Sequence, residues 1–184
     1  MEKNNTYKAQ KRTDYKAPDF TSSHIDLTFE LDDEATKVTT VAKYRRLTKD
    51  HKAPLVLDGE DLKLLSVKYK IVKDKLEIAN VPDEFELAIE NVINPTANTS
   101  LMGLYKSNGA FCTQCEPQGF RRITYFLDRS DVLAKYKVTI IGPEYGCGVL
   151  LSNGNLIDEG TKKGRSFAVW EDPFPKPSYL FALV

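Results

Sequence analysis

Ile25-Asp26-Leu27-Thr28-Phe29-Glu30-Leu31-Asp32 carries an apolar side chain on every second position for eight residues. Successive side chains of an extended chain point to opposite faces, so this is a half-buried strand with one wet face. Asp32-Asp33-Glu34 reads as a turn, and Lys37 to Leu47 continues with Val38, Ala42 and Tyr44 on one parity. Two such runs joined by a short polar turn predict a hairpin.

The same reading extends outward. Leu55-Val56-Leu57, Leu62 to Val72, Lys75 to Ile78 and Glu84 to Val92 are further strand candidates. In the last, Phe85, Leu87 and Ile89 alternate with Glu84, Glu86, Ala88 and Glu90. Asn94-Pro95-Thr96-Ala97-Asn98-Thr99 interrupts the pattern, because proline cannot donate to a ladder. Lys135 to Ile141, Val149 to Leu151, Leu156-Ile157, Ser166 to Trp170 and Tyr179 to Val184 follow. Leu151-Ser152-Asn153-Gly154-Asn155-Leu156 reads as a hairpin, since Asn-Gly tolerates positive φ. Asp172-Pro173-Phe174-Pro175-Lys176-Pro177 reads as a stiff loop, and Arg129 to Lys135 as a short helical turn. The fold class expected is all-β with little helix, as a β-sandwich or large twisted antiparallel or mixed sheets.

Composition sets the outer bounds. A chain of 184 residues, 41% hydrophobic and 28% charged, is that of a soluble globular protein. It is most simply one domain, able to bury roughly two thirds of its unfolded surface. The 26 Lys and Arg balance 26 Asp and Glu. Such neutrality gives no electrostatic reason to expect a nucleic acid or an anionic membrane as partner. No apolar run approaches the ~20 residues of a membrane span, and the polar N-terminus lacks the apolar middle of a secretory signal. Three cysteines, an odd number, suit a reducing compartment, so the expected location is cytoplasmic. Residues 1–13 read as a flexible arm. There is no P-loop, G-x-S-x-G or dinucleotide fingerprint.

The most specific motif is Gly103 to Arg122, G-L-Y-K-S-N-G-A-F-C-T-Q-C-E-P-Q-G-F-R-R. It resembles the substrate-facing segment of the aminopeptidase N family of zinc exopeptidases, where G-L-Y-x-S leads into T-Q-x-E. Residues Tyr15 to Phe20, Leu57 to Leu64, Asn94 to Thr99, Phe120 to Leu133, Leu151 to Asn155 and Trp170 to Pro177 extend the similarity from about Asp14 to Val184. Ser130 departs from the proline that the bacterial branch carries there, which frees a backbone N–H. The resemblance implies a saddle-like N-terminal β domain over 14–184, truncated before a zinc catalytic domain that would begin just past Val184. That catalytic domain would be its partner, and peptide N-termini its substrates in the full-length enzyme.

The resemblance also implies roles. Glu116 would hold the α-ammonium of a peptide, and Gln114 would line the pocket for the first side chain. In an extended Thr113 to Glu116 segment, Gln114 and Glu116 share one face and Thr113 and Cys115 the other, with Pro117 ending the ladder. A carboxylate shielded from water suits an ammonium, since charge-assisted hydrogen bonds are the stronger kind. Taken by itself, a Gln-x-Glu pair is ordinary content for a solvated loop; the resemblance is what gives it a role.

The family's H-E-x-x-H helix is absent, and the two histidines, His24 and His51, read as surface residues. No catalytic or metal-ligating residue is therefore expected in these 184 residues, and the zinc would belong to the full-length enzyme. Cys112 and Cys115 form a C-x-x-C, but with Cys147 and the histidines scattered they read as buried or half-buried free thiols. Phe111, Phe120, Tyr125 and Phe126 read as packing residues, and Tyr105 as one that could approach a ligand. The alternative is a non-catalytic β-sandwich that serves as a binding or scaffold module for a protein partner.

Overall fold

A computed structural model describes residues 11–65, 70–72, 75–143, 145–146 and 148–184. Its strands, in chain order, are β1 (Phe20–Glu30), β2 (Thr36–Arg46), β3 (Leu55–Asp58), β4 (Lys63–Leu64), β5 (Lys70–Val72) and β6 (Lys75–Ile78). They continue as β7 (Glu84–Ile93), β8 (Gly103–Ser107), β9 (Ala110–Gln114), β10 (Ala134–Ile141), β11 (Asn155–Lys162) and β12 (Arg165–Lys176). Among the described residues the only helical pieces are 3₁₀ turns at Arg12–Asp14, Phe120–Arg122 and Ser178–Leu180. No helix among them is long and apolar enough to cross a membrane. The all-β expectation holds.

Seven strands form one curled mixed sheet in the order β11-β12-β10-β1-β2-β7-β4, with β1 and β10 parallel. A three-stranded sheet β3-β6-β5 and the β8–β9 hairpin complete the pairing among the described residues. The β1–β2 hairpin pairs Glu30 with Lys37 through Phe20 with Arg46. A bulge between Ser22 and His24 moves the buried parity of β1 from Phe20 and Ser22 to Ile25, Leu27 and Phe29. The regular alternation therefore starts at Ile25. On β2, Thr36, Val38, Thr40, Ala42, Tyr44 and Arg46 all turn inward. Thr40 is hydrogen-bonded to Thr124 at 2.7 Å, and the Arg46 guanidinium lies 4.5 Å over the Phe20 ring. The threonine pair satisfies two buried hydroxyls, and Arg46 is satisfied by Asp83 and by the carbonyls of Asp50, Ala53 and Val81.

The core centres on aromatic rings. Phe120 meets Phe126, Tyr136 and Phe181 edge-on at 5.4, 6.1 and 5.3 Å, and Phe29 stacks on Phe181 at 6.0 Å. Such contacts add to plain area burial.

The structure corrects several boundaries. The run from Leu62 to Val72 is two strands in different sheets, β4 and β5, and residues 66–69 lie outside the described residues. Val149 to Leu151 is not a strand: Leu151 exchanges backbone hydrogen bonds with Val184, at 2.8 and 3.0 Å. Asn153-Gly154 does not close a hairpin either. Gly154 has φ +92, where a side chain would collide with the Glu171 carbonyl, and Ser152 bridges to Leu183. The hairpin turn is at Lys163-Gly164, both with positive φ, joining β11 to β12.

Pro173 and Pro175 lie inside β12, not in a loop. β11 begins opposite Glu171, so past that point β12 pairs only with β10 and proline is tolerated. Tyr179 to Val184 is a 3₁₀ turn and a single bridge, although Phe181 and Leu183 are buried. Arg129 to Lys135 holds a turn closed by Val132 N–H to the Arg129 carbonyl, and β10 starts at Ala134. Of the expected arm, residues 1–10 lie outside the described residues.

Candidate functional site

The β8–β9 hairpin carries the motif. Asn108 and Gly109 turn with φ 49 and 85, the left-handed geometry that a two-residue hairpin loop requires. Cross-strand pairing places Gly103 opposite Gln114, Leu104 opposite Thr113 and Tyr105 opposite Cys112. Tyr105, Cys112 and Gln114 thus share the outer face, while buried Leu104 and Phe111 line the inner one. Tyr105 is half-buried.

The ladder ends at Gln114, earlier than the Pro117 stop expected from sequence. Alternation nevertheless continues: Cys115 is buried, whereas Gln114 and Glu116 are exposed. The chain then folds back sharply. The Gly119 N–H donates to the Cys115 carbonyl at 2.8 Å, and a side chain at Gly119 would collide with the Gln114 carbonyl. The Glu116–Pro117 peptide is cis. The Gln114 side-chain amide donates to the Glu116 carbonyl at 3.2 Å. Glu116 therefore stands on a short, internally braced turn.

Glu116 lines an open cleft of about 620 Å³ together with Tyr15, Arg129, Asp131 and Tyr179. Gln114 is not among the lining residues of this cleft. One wall is built by Arg129, which donates from Nε and Nη2 to the two oxygens of Asp131 at 2.8 and 2.7 Å. The Tyr15 hydroxyl adds a bond to Asp131 at 3.0 Å. The Arg129 guanidinium holds the Asp131 carboxyl below the usual carboxylate range.

A lock that sequence reasoning missed lies beneath this turn. Asp128 is buried, accepts from Arg121 Nε at 2.9 Å and backbone N–H at 3.2 Å, and takes the Ser178 hydroxyl at 2.6 Å. A buried carboxylate needs such partners, and here they tie the chain after Phe120 to the chain after Pro177. The segment Phe120 to Asp128 carries no alternation that would have marked it.

Cys112 and Cys115 are free, half-buried and buried respectively; Cys147 lies outside the described residues. Burial, with the Asp128 charge adding, pushes the Cys115 thiol up to about 12. His24 and His51 each face a single aspartate, Asp26 and Asp83, at 3.2 Å. Among the described residues no group of three or more His, Cys, Asp or Glu is placed to hold a metal ion. Phe111, Phe120, Tyr125 and Phe126 are buried packing residues, in accord with the sequence.

Residues 21–180 match the family described as the Peptidase M1 N-terminal domain. The chain belongs to that family. It is 50% identical over 185 residues to aminopeptidase N of Escherichia coli and 45% identical over 194 residues to aminopeptidase N of Haemophilus influenzae. Each alignment covers 96% of this chain, but only 21% and 22% of the relative. The chain thus spans about a fifth of the length of these relatives. A crystal structure of Legionella pneumophila aminopeptidase A in complex with aspartic acid is 36% identical, with a TM-score of 0.87 over 95% of this chain and 22% of that one. An M1 zinc metallopeptidase from Deinococcus radiodurans, at 16% identity and TM-score 0.76, shares the fold. The family resemblance carried by Gly103 to Arg122 is thereby established.

Proposed function

We propose that this domain supplies substrate recognition to a zinc aminopeptidase that removes N-terminal residues from peptides in the cytosol. Glu116 receives the α-ammonium of the peptide, and Gln114 borders the pocket for the first side chain. The observation that carries the reading is the braced turn, which holds both side chains outward while burying Cys115 between them. A carboxylate offered this way gains strength once a second surface closes over it and lowers the local dielectric. The metal and the bond-breaking groups belong to the peptidase region that relatives of greater length possess. Alone, the 184-residue chain is expected to be inactive.

That peptidase region is the proposed partner. A groove of about 350 Å³ lined by Leu31, Phe111, Val149, Leu150 and Val184 supports docking of an apolar surface. Val149 and Val184 are 68% and 53% exposed, and large exposed apolar groups grouped at one site favour coverage by a neighbour.

Glu116→Gln in the longer polypeptide tests the reading, because it keeps the shape and removes the charge. Cleavage of free-amino peptides should fall while the already poor cleavage of N-acetylated peptides stays the same. Unchanged discrimination between the two would contradict it and favour the non-catalytic scaffold module.

A further inference from the structure

The hydroxyl of Thr113 makes two hydrogen bonds to one residue. It donates to the Leu183 carbonyl at 3.0 Å and accepts from the Leu183 N–H at 2.8 Å. Among the described residues β9 has a single strand partner, β8. Two residues of neighbouring antiparallel strands can exchange both backbone bonds, and here one side chain does so in place of a third strand. Leu183 is fully buried and bridged on its other side by Ser152. A slip of either segment along the other would break both bonds at once. Thr113 immediately precedes Gln114 and lies on the opposite face of β9, so it braces the recognition segment from behind.

We propose that Thr113 is a positioning residue. Its hydroxyl fixes the register between the Gln114–Glu116 turn and the chain at Leu183, and so sets how far the Glu116 carboxylate stands from the peptidase region docked there. The proposal rests on the recognition role of Glu116 given above. Valine has nearly the shape of threonine but leaves the Leu183 N–H and carbonyl buried without these bonds. Serine keeps the hydroxyl.

The test compares Thr113→Val, Thr113→Ser and Glu116→Gln in the longer polypeptide. Displacing a recognition group by about an ångström can cost up to roughly 100-fold. Thr113→Val should therefore lower kcat/KM on free-amino peptides by roughly 10- to 100-fold, mainly through KM, and reduce discrimination against N-acetylated peptides. Thr113→Ser should restore both. A parallel loss on both substrates with discrimination intact would mean a merely structural role and overturn the proposal. Wild-type kinetics in Thr113→Val, with Glu116→Gln impaired, would overturn the proposal and leave the Glu116 reading standing. Wild-type kinetics in Glu116→Gln would overturn that reading itself. In the 184-residue chain, amide exchange at Leu183 should accelerate in the valine variant and not in the serine variant; equal protection in both would show that the hydroxyl does not hold the register.

Discussion

The central strands β1, β2 and β7 and the ribbon of β11 and β12 are built from the same backbone geometry, yet they differ in what their side chains report. On β2 every second residue is buried, from Thr36 to Arg46. On β11 all eight residues are exposed. Alternation in a sequence records a difference in burial between two faces, not the extended conformation itself. The central strands have that difference and β11 lacks it, while β12 buries only Ala168 and Asp172. The contrast extends to exposed apolar surface. The central strands bury their large apolar side chains, whereas several large exposed ones, Val149, Leu156, Ile157 and Phe174 among them, fall in the last part of the chain.

The largest effect expected from this contrast is in the core. Phe29→Ala, at a fully buried site stacked on Phe181, should cost about 3–5 kcal/mol in chemical denaturation. A loss below about 1 kcal/mol would mean that the two regions are equally loose.

An intermediate effect is expected where the central β1–β2 hairpin is tied to β8. Asp33, in the β1–β2 turn, accepts from Lys106 Nζ and from the Tyr145 hydroxyl, both at 2.8 Å. The Lys106 bond first, and the tyrosine next, hold its carboxyl below the ordinary carboxylate range. A depressed folded pKa gives stability that is present above the unfolded pKa and lost as pH falls through the folded one. Thermal unfolding of Asp33→Asn should therefore lose part of the acid sensitivity seen in the wild type below the usual carboxylate pKa. An identical pH profile in both proteins would remove this tie from the account.

The smallest effect is on the ribbon. Ile157→Ser, at a site 49% exposed, should stay within about 0.5 kcal/mol of wild type. A core-sized loss there would erase the distinction between the regions.

Legibility follows the same line. Ile25 to Leu31, Lys37 to Tyr44 and Glu84 to Val92 were readable because each packs one face on the core. The bulge at Ser22 hid the start of β1, and Pro173 and Pro175 disguised the end of a strand, beyond the point where β11 stops pairing with it. At the candidate site, Gln114 and Glu116 were singled out through family resemblance alone, and what the structure adds is that both are exposed, as period-two geometry requires. The Asp128–Arg121–Ser178 lock and the Thr113–Leu183 tie were not legible, since each joins residues 50 or 70 positions apart. Isolated polar residues leave no periodic trace of such a contact.

The most direct measurement is Glu116→Ala in the longer polypeptide, read for both stability and turnover. An exposed residue on a turn should leave unfolding within about 0.5 kcal/mol of wild type. Losing one partner of a shielded charge pair costs roughly 2–5 kcal/mol, so kcat/KM on free-amino peptides should fall by about one and a half to three and a half orders of magnitude. Wild-type turnover with bound zinc retained would contradict the account and make Glu116 a solvated loop carboxylate.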